Sequence, residues 1–177
     1  MIVIDKNLEQ LCSQMHICEK KLVDEFSLHL RMGDWYYTPV ETGKSVVFNH
    51  HPLPTELFSK RHDVEQNLIL TPGARVISCT KDQYKIPLDY FGLVQTKGTL
   101  ARLFVSITCN DGQVEPGFDG YITLEIINQS PWTVEIPVGA YIGQLYLIKC
   151  SSSSPVPYHG RYAEQAKFGP TLPTFKA

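Results

Sequence analysis

The chain has 177 residues, 43% of them hydrophobic, 11% aromatic and 19% charged, which excludes a disordered, collagen-like or coiled-coil protein and gives one domain enough apolar surface for a packed core. Its 16 Lys plus Arg against 18 Asp plus Glu leave a net charge of −2, so no global positive field gathers nucleic acid, and an anionic ligand must be held by a local cluster. The longest apolar stretches, such as Tyr141 to Ile148, fall far short of the ~20 residues of a membrane span; Met1 to Gln10 carries no basic region followed by an apolar run, and a soluble, cytoplasmic protein is expected.

At the N-terminus, Asp5 is placed to cap a helix whose Leu8, Leu11 and Met15 fall three and four apart on one face. From about residue 35 the pattern changes to short runs of Val, Ile, Thr and Tyr, punctuated by Thr71-Pro72-Gly73 and Pro137-Val138-Gly139, which predicts an all-β sandwich or barrel. In Arg102 to Cys109, alternation puts Leu103, Val105, Ile107 and Cys109 on one side of a strand and Phe104, Ser106 and Thr108 on the other. In Tyr121 to Ile127, Ile122, Leu124 and Ile126 point one way, and Tyr121, Thr123 and Glu125 the other. Ser151 to Ser154, then Pro155 and Pro157, read as a flexible joint. The expected organisation is therefore a β domain over residues 1–154 with an N-terminal helical segment, followed by a mobile closing segment over 155–177.

Several motifs fail on inspection. Gly43-Lys44-Ser45 lacks the Gly five residues earlier that a phosphate-binding P-loop needs, position 38 being Thr; it reads as a turn before a strand at Val46-Val47-Phe48. His50, His51 and His62 have no carboxylate or thiol at ligand spacing to complete a tetrahedral set and read as loop histidines. The five cysteines, Cys12, Cys18, Cys79, Cys109 and Cys150, are scattered without a Cys-x-x-Cys pair, so buried thiols are expected rather than disulfides or a zinc ribbon. Neither His-x-Glu nor Pro-Cys-x-x-Cys occurs, which removes the zinc-activated water of the zinc nucleobase deaminases.

Four segments remain: Lys97-Gly98-Thr99-Leu100-Ala101-Arg102, Glu115-Pro116-Gly117-Phe118-Asp119-Gly120, Ile122-Thr123-Leu124-Glu125, and Ile142-Gly143-Gln144-Leu145. Each is weak alone. In this order and spacing they resemble the dCTP deaminase family, the branch of the trimeric dUTPase-like fold that deaminates cytosine without a metal. Ser27 to Gly33 resembles an early strand signature of the family, with His29 where an Asp is usual. Leu70-Thr71-Pro72-Gly73 through Thr80 and Ile86-Pro87 are similar to the strand pair leading to the site. Tyr158, Arg161, Tyr162, Gln165 and Gly169-Pro170-Thr171 are similar to its closing segment. Glu125 stands where dUTPases usually carry an apolar residue. The sequence departs from the family at Gly98, usually a Ser, at Glu115, usually an Asp, at Asp111, usually small, and at Thr108, usually a His.

The resemblance implies a mainly β, dUTPase-like distorted barrel or jelly roll with one or two short helices, assembled as a homotrimer with sites between subunits. It implies hydrolysis of dCTP to dUTP and ammonia, with Glu125 as the proton shuttle and Arg102 orienting Glu125 and the water. A glutamate serving as both base and acid needs its pKa raised toward ~6–7 by desolvation. Lys97, Thr99, Gln144 and Arg161 would hold a triphosphate carrying Mg²⁺, with no zinc. Gly98, Leu100, Ala101, Asp111, Glu115, Thr123, Leu124, Tyr158 and Gln165 would complete the binding surface. Two alternatives stay open: a dUTP pyrophosphatase, or an enzyme doing both reactions, with Glu115 activating water toward the α-phosphate; and a catalytically silent nucleotide-binding module.

Overall fold

The computed structural model describes residues 1–48 and 55–174; His50 and His51 lie outside the described residues. Helix α1 spans Asp5–Met15. The strands are β1 (Leu28–Tyr37), β2 (His62–Asp63), β3 (Asn67–Leu70), β4 (Arg75–Lys85), β5 (Tyr90–Thr96), β6 (Val105–Ser106), β7 (Gln113–Val114), β8 (Asp119–Asn128), β9 (Val134–Pro137) and β10 (Tyr141–Lys149), and a one-turn helix α2 (Gly98–Ala101) follows β5. Strands β6-β8-β4-β1-β10-β5-β7 form one curled sheet in that order, with β2 beside β1, and β3 pairs with β9 in a second, two-stranded sheet. The pairings are antiparallel throughout, and the molecule has the expected mainly β architecture with few helices.

The core is built from the inward residues of these strands. Leu28, Leu30 and Met32 of β1, Leu124 of β8, and Leu145 and Leu147 of β10 are fully buried, and each such side chain contributes about 1.5–3 kcal/mol through its removal from water. Long strands β4 and β8 bend where their register shifts between Cys79 and Gln83. The Thr80 hydroxyl fills the irregularity, donating to the Asp82 carbonyl (2.7 Å) and accepting from the Ile122 N–H (3.0 Å). The buried Asp82 carboxylate in turn accepts the Arg31 Nε–H at 2.8 Å, a charge-assisted pairing that fixes β1 beside the bend.

The structure corrects three local expectations. Asp5 is the first helical residue and makes no capping bond; Ile4 precedes the helix as its cap position. The helix meets the core through Leu8 and Cys12, while Met15 is 46% exposed, because its last turn overhangs the core edge before His16 adopts a left-handed conformation (φ 52°) and sends Ile17 inward. Second, Arg102 to Cys109 is not a strand. After α2 the chain continues in turns, with Leu103 N–H donating to Leu100 O and Phe104 N–H to Ala101 O, and only Val105–Ser106 pairs with β8. Phe104 and Cys109 have φ of 56° and 46°, and Cys109 is exposed while Val105 and Ile107 are buried. Third, Val46-Val47-Phe48 lies exposed outside any strand.

Candidate functional site

The site begins with the alternation of β8. Ile122, Leu124 and Ile126 enter the core, so Tyr121, Thr123 and Glu125 emerge on the opposite face. Over that face the chain folds twice. The first cover is the turn from Thr108 to Phe118, which contains β7; the second is the C-terminal segment from Tyr158 to Pro173. Between them lies a cavity of about 670 Å³ lined by Glu125, Thr123, Tyr121, Asp111, Glu115, Tyr158, Arg161 and Tyr162, with Ile77, Val94 and Phe118 supplying apolar wall.

The C-terminal segment is docked closely. Gly117 has φ +82°, and a Cβ there would stand 2.4 Å from the Pro157 Cα, so only glycine allows the two backbones to cross at this point. Tyr158 N–H donates to Pro116 O (3.0 Å), and its ring tilts against Phe118 at 6.2 Å. The 3₁₀ turn Gln165–Lys167 buries Ala166 beside Gly120. Thr171 N–H then donates to the Thr123 hydroxyl at 3.0 Å, and the two hydroxyls are 3.1 Å apart. Arg161 donates from Nη1 to the Thr174 carbonyl.

Glu125 is the chemically distinctive group. Its Oε2 is buried and has no hydrogen-bond partner among the described residues. Burial, reinforced by the nearby Asp111 charge and opposed by a backbone hydrogen bond, raises its carboxyl from 4.5 to about 7. Such a group can accept and return a proton near neutrality. Burial and then the Glu115 charge also push the Tyr158 phenol up. The described lining residues thus comprise three carboxyl groups, three phenols and one guanidinium, with no His or Cys. Among the described residues, no group of three or more His, Cys, Asp or Glu is placed to hold a metal ion, and no helix is long and apolar enough to cross a membrane.

Of the residues singled out from sequence, Glu125, Asp111, Glu115, Thr123, Tyr158 and Arg161 share this one cavity. The others stand elsewhere. Lys97 caps α2, Gly98 to Ala101 form it, and Arg102 follows it as an exposed residue rather than opening a strand. None of the six lines the cavity. Leu124 turns its side chain into the core. Gln144 donates from Nε2 to the Ser27 hydroxyl (3.1 Å), and Gln165 is exposed on the 3₁₀ turn. Tyr121, Tyr162 and Ile77 line the cavity without having been assigned to it. Tyr121 shares the face of Glu125 by the same alternation, and Tyr162 falls inside the closing-segment resemblance. Ile77 carries no local signal, since only the pairing of β4 with β8 sets it opposite Glu125.

Comparison with known proteins agrees with this architecture. A family model described as dCTP deaminase-like matches residues 3–150. The protein of Methanoculleus marisnigri named "dCTP deaminase, dUMP-forming" is 30% identical over 151 residues, covering 82% of this chain and 79% of its own length. Its counterpart in Pseudarthrobacter chlorophenolicus is 35% identical over 114 residues, 62% of this chain and 60% of its own. The crystal structure of 2'-deoxycytidine 5'-triphosphate deaminase from Agrobacterium tumefaciens superposes with a TM-score of 0.60 at 20% identity, covering 82% of this chain and 47% of that one. The chain therefore spans about half of that solved structure and less than two thirds of the Pseudarthrobacter relative.

Proposed function

The chain belongs to the dCTP deaminase-like family, and on that premise we propose that it hydrolyses the 4-amino group from the cytosine of dCTP and carries the nucleotide on to dUMP. The observation that carries this reading is Glu125, a buried carboxyl with an unpartnered oxygen, raised to about 7 at the wall of a cavity large enough for a nucleotide. Water adds to C4 as the Glu125 carboxylate takes its proton. That proton passes to N3, and the remaining hydroxyl proton follows to the departing nitrogen, so that water and dCTP give dUTP and ammonia. Backbone groups of the turn at Asp111 hold the water. The described lining residues offer carboxyls, phenols and a guanidinium, and this reading gives the proton transfers to the Glu125 carboxyl.

The relatives' names specify dUMP, where the sequence alone favoured dUTP as the end product and kept combined deaminase and pyrophosphatase action as an alternative. Those names support the combined reaction as the reading proposed here. Glu115, on the wall beside the closing segment, approaches the sugar and activates a second water toward the α-phosphate, which releases pyrophosphate. Arg161 would hold the phosphates, whose charge Mg²⁺ would help neutralise, and the remaining donors, Lys97, Thr99, Arg102 and Gln144, would come from a neighbouring copy in a homotrimer. Two features support that assembly: α2 and Arg102 are exposed and outside the cavity, and Leu103 and Phe104 beside them are 43% and 60% exposed.

Chromatography of the products after incubation with dCTP and Mg²⁺ tests the proposal. Ammonia, dUMP and pyrophosphate in equal amounts are expected. Ammonia with dUTP alone would restrict the enzyme to deamination. Binding of dCTP with no product would replace both by the silent module, in which Gly98, beside the Arg102 guanidinium, lacks a serine hydroxyl.

A further inference from the structure

The far end of the cover rests on one side chain. Successive strand residues face opposite ways, so that Tyr36 of β1 packs against the core while Trp35 is half-buried on the other side. The Trp35 ring is fixed from the β2 side. The Arg61 guanidinium lies 4.3 Å from its centroid, and Arg61 Nε donates at 2.6 Å to Oδ1 of Asp63, the residue paired with Trp35 across β1 and β2. Tyr37 meets the ring edge-on, with centroids 5.4 Å apart. Against this ring the C-terminal segment lays Gly169, which is buried and has φ +140°. A Cβ at Gly169 would stand 2.1 Å from Trp35 Cζ2 and 2.9 Å from Cη2, so bare backbone rests on the indole and only glycine fits. Pro170, next in the chain, is buried as well. Thr171 N–H then donates to the Thr123 hydroxyl at 3.0 Å, and Thr171 and Pro173 form part of the cavity wall.

We propose that Trp35 is a positioning residue for the reaction: its indole seats Gly169 and thereby holds Thr171 and Pro173 at the wall of the cavity that Glu125 lines. Trp35 does not itself line the cavity, so it acts through the cover. The inference rests on the deaminase reading for its catalytic meaning, but the seat is a property of the free protein.

The chain has two tryptophans, and Trp132 is 54% exposed, so a W132F background leaves Trp35 as the single indole to observe. In that background G169A should shift the Trp35 emission to longer wavelength and raise its quenching by acrylamide about twofold, because release of the segment opens the ring to water. With the circular dichroism of the β domain unchanged, kcat/KM for ammonia release from dCTP should fall about tenfold or more, since a small displacement of the cover is felt at the reacting centre. W35A should lose as much. The double variant W35A/G169A separates one shared contact from two separate injuries: a single seat gives a loss no deeper than that of either single variant, whereas independent losses multiply to about a hundredfold. If W35A does not fold, G169A carries the test by itself. Unchanged quenching in G169A overturns the proposal, as does raised quenching with unchanged kcat/KM, and as do losses that multiply. If the wild type releases no ammonia, the deaminase reading fails, and the seat is judged on the quenching alone: raised quenching in G169A upholds it and unchanged quenching overturns it.

Discussion

Strand β8 and the segment from Lys97 to Cys109 both carry alternating apolar residues, and they fold in opposite ways. In β8 every second residue from Gly120 to Asn128 is buried, and Tyr121, Thr123 and Glu125 between them line the cavity. In the other segment the apolar residues divide between core and surface, with Leu103 and Phe104 exposed and Ile107 buried. The contrast has a physical cause. β8 pairs with β4 over most of its length and with β6 on its other side, so its pleat is enforced by two neighbours. The segment after β5 begins with a helical turn and pairs over two residues only. One region thus brings its acid and its cover together within a single chain, while the other turns Arg102 and two apolar side chains outward.

The largest effect expected from this division falls on β8. Glu125→Gln retains size and hydrogen bonding but cannot shuttle a proton, so deamination should drop by about 10²–10⁴-fold while dCTP still binds. A stability measurement checks the same residue independently. Because the folded-state pKa of Glu125 is raised from 4.5 to about 7, its contribution to stability is present below pH 4.5 and is lost as pH rises through 7. The Gln variant should therefore melt higher than the wild type at pH 8, and the difference should vanish toward pH 4.5. Turnover within a few-fold of wild type would show that the half with the acid and its cover is not where the chemistry occurs.

The next effect concerns the cover. The segment after Pro157 touches the β domain at Gly117, Thr123 and Gly120 but supplies little of the buried core, which takes from it Ala166 and Pro170. Ending the chain at Pro157 should leave a folded β domain of unchanged assembly and reduce turnover by about 10²-fold or more, because water then reaches the reacting centre and Arg161 is lost. Circular dichroism, light scattering and ammonia release on the same sample check it, and full activity of the truncated chain would remove the closing role.

How far the sequence discloses this site follows the same contrast. The side-chain faces of β8 can be read locally, because a strand buried on one side imposes a period of two. The resemblance supplied Asp111, Glu115, Tyr158 and Arg161, whose meeting depends on contacts such as Gly117 against Pro157 that no local pattern encodes. The segment 102–109 misleads because alternation cannot reveal a positive φ at Phe104 and Cys109. Met15 misleads because helical spacing does not tell where the core ends. Ile77 is invisible for a related reason: its place opposite Glu125 is set by a long-range register.

Mixing two inactive chains sharpens the comparison at an intermediate effect. Arg102→Ala should be inactive if Arg102 completes the site of a neighbouring copy, and it retains Glu125; Glu125→Gln retains Arg102. Unfolded together and refolded, the two should regain activity in about a quarter of sites, the share expected when each site draws one residue from each of two randomly assorted subunits. No recovery, from a mixture shown by mass spectrometry to contain mixed assemblies, would place Arg102 and Glu125 in the same chain's site or remove Arg102 from it.

The smallest effect is also the most discriminating, because it lies inside the half with the acid and its cover. Glu115 lines the same cavity as Glu125, yet its charge acts chiefly on Tyr158, and it is the residue proposed to meet the sugar and the second water. Glu115→Gln should raise KM for ammonia release by about tenfold, the loss of one hydrogen bond to a charged group, with a smaller change in kcat. Its effect on the product should be sharper, since a glutamine cannot take a proton from the water that attacks the α-phosphate. The released nucleotide should shift from dUMP toward dUTP, with ammonia and pyrophosphate no longer equal. Equal loss of ammonia and pyrophosphate would make Glu115 part of the deamination step itself, and an unchanged product ratio would move the second hydrolysis away from Glu115.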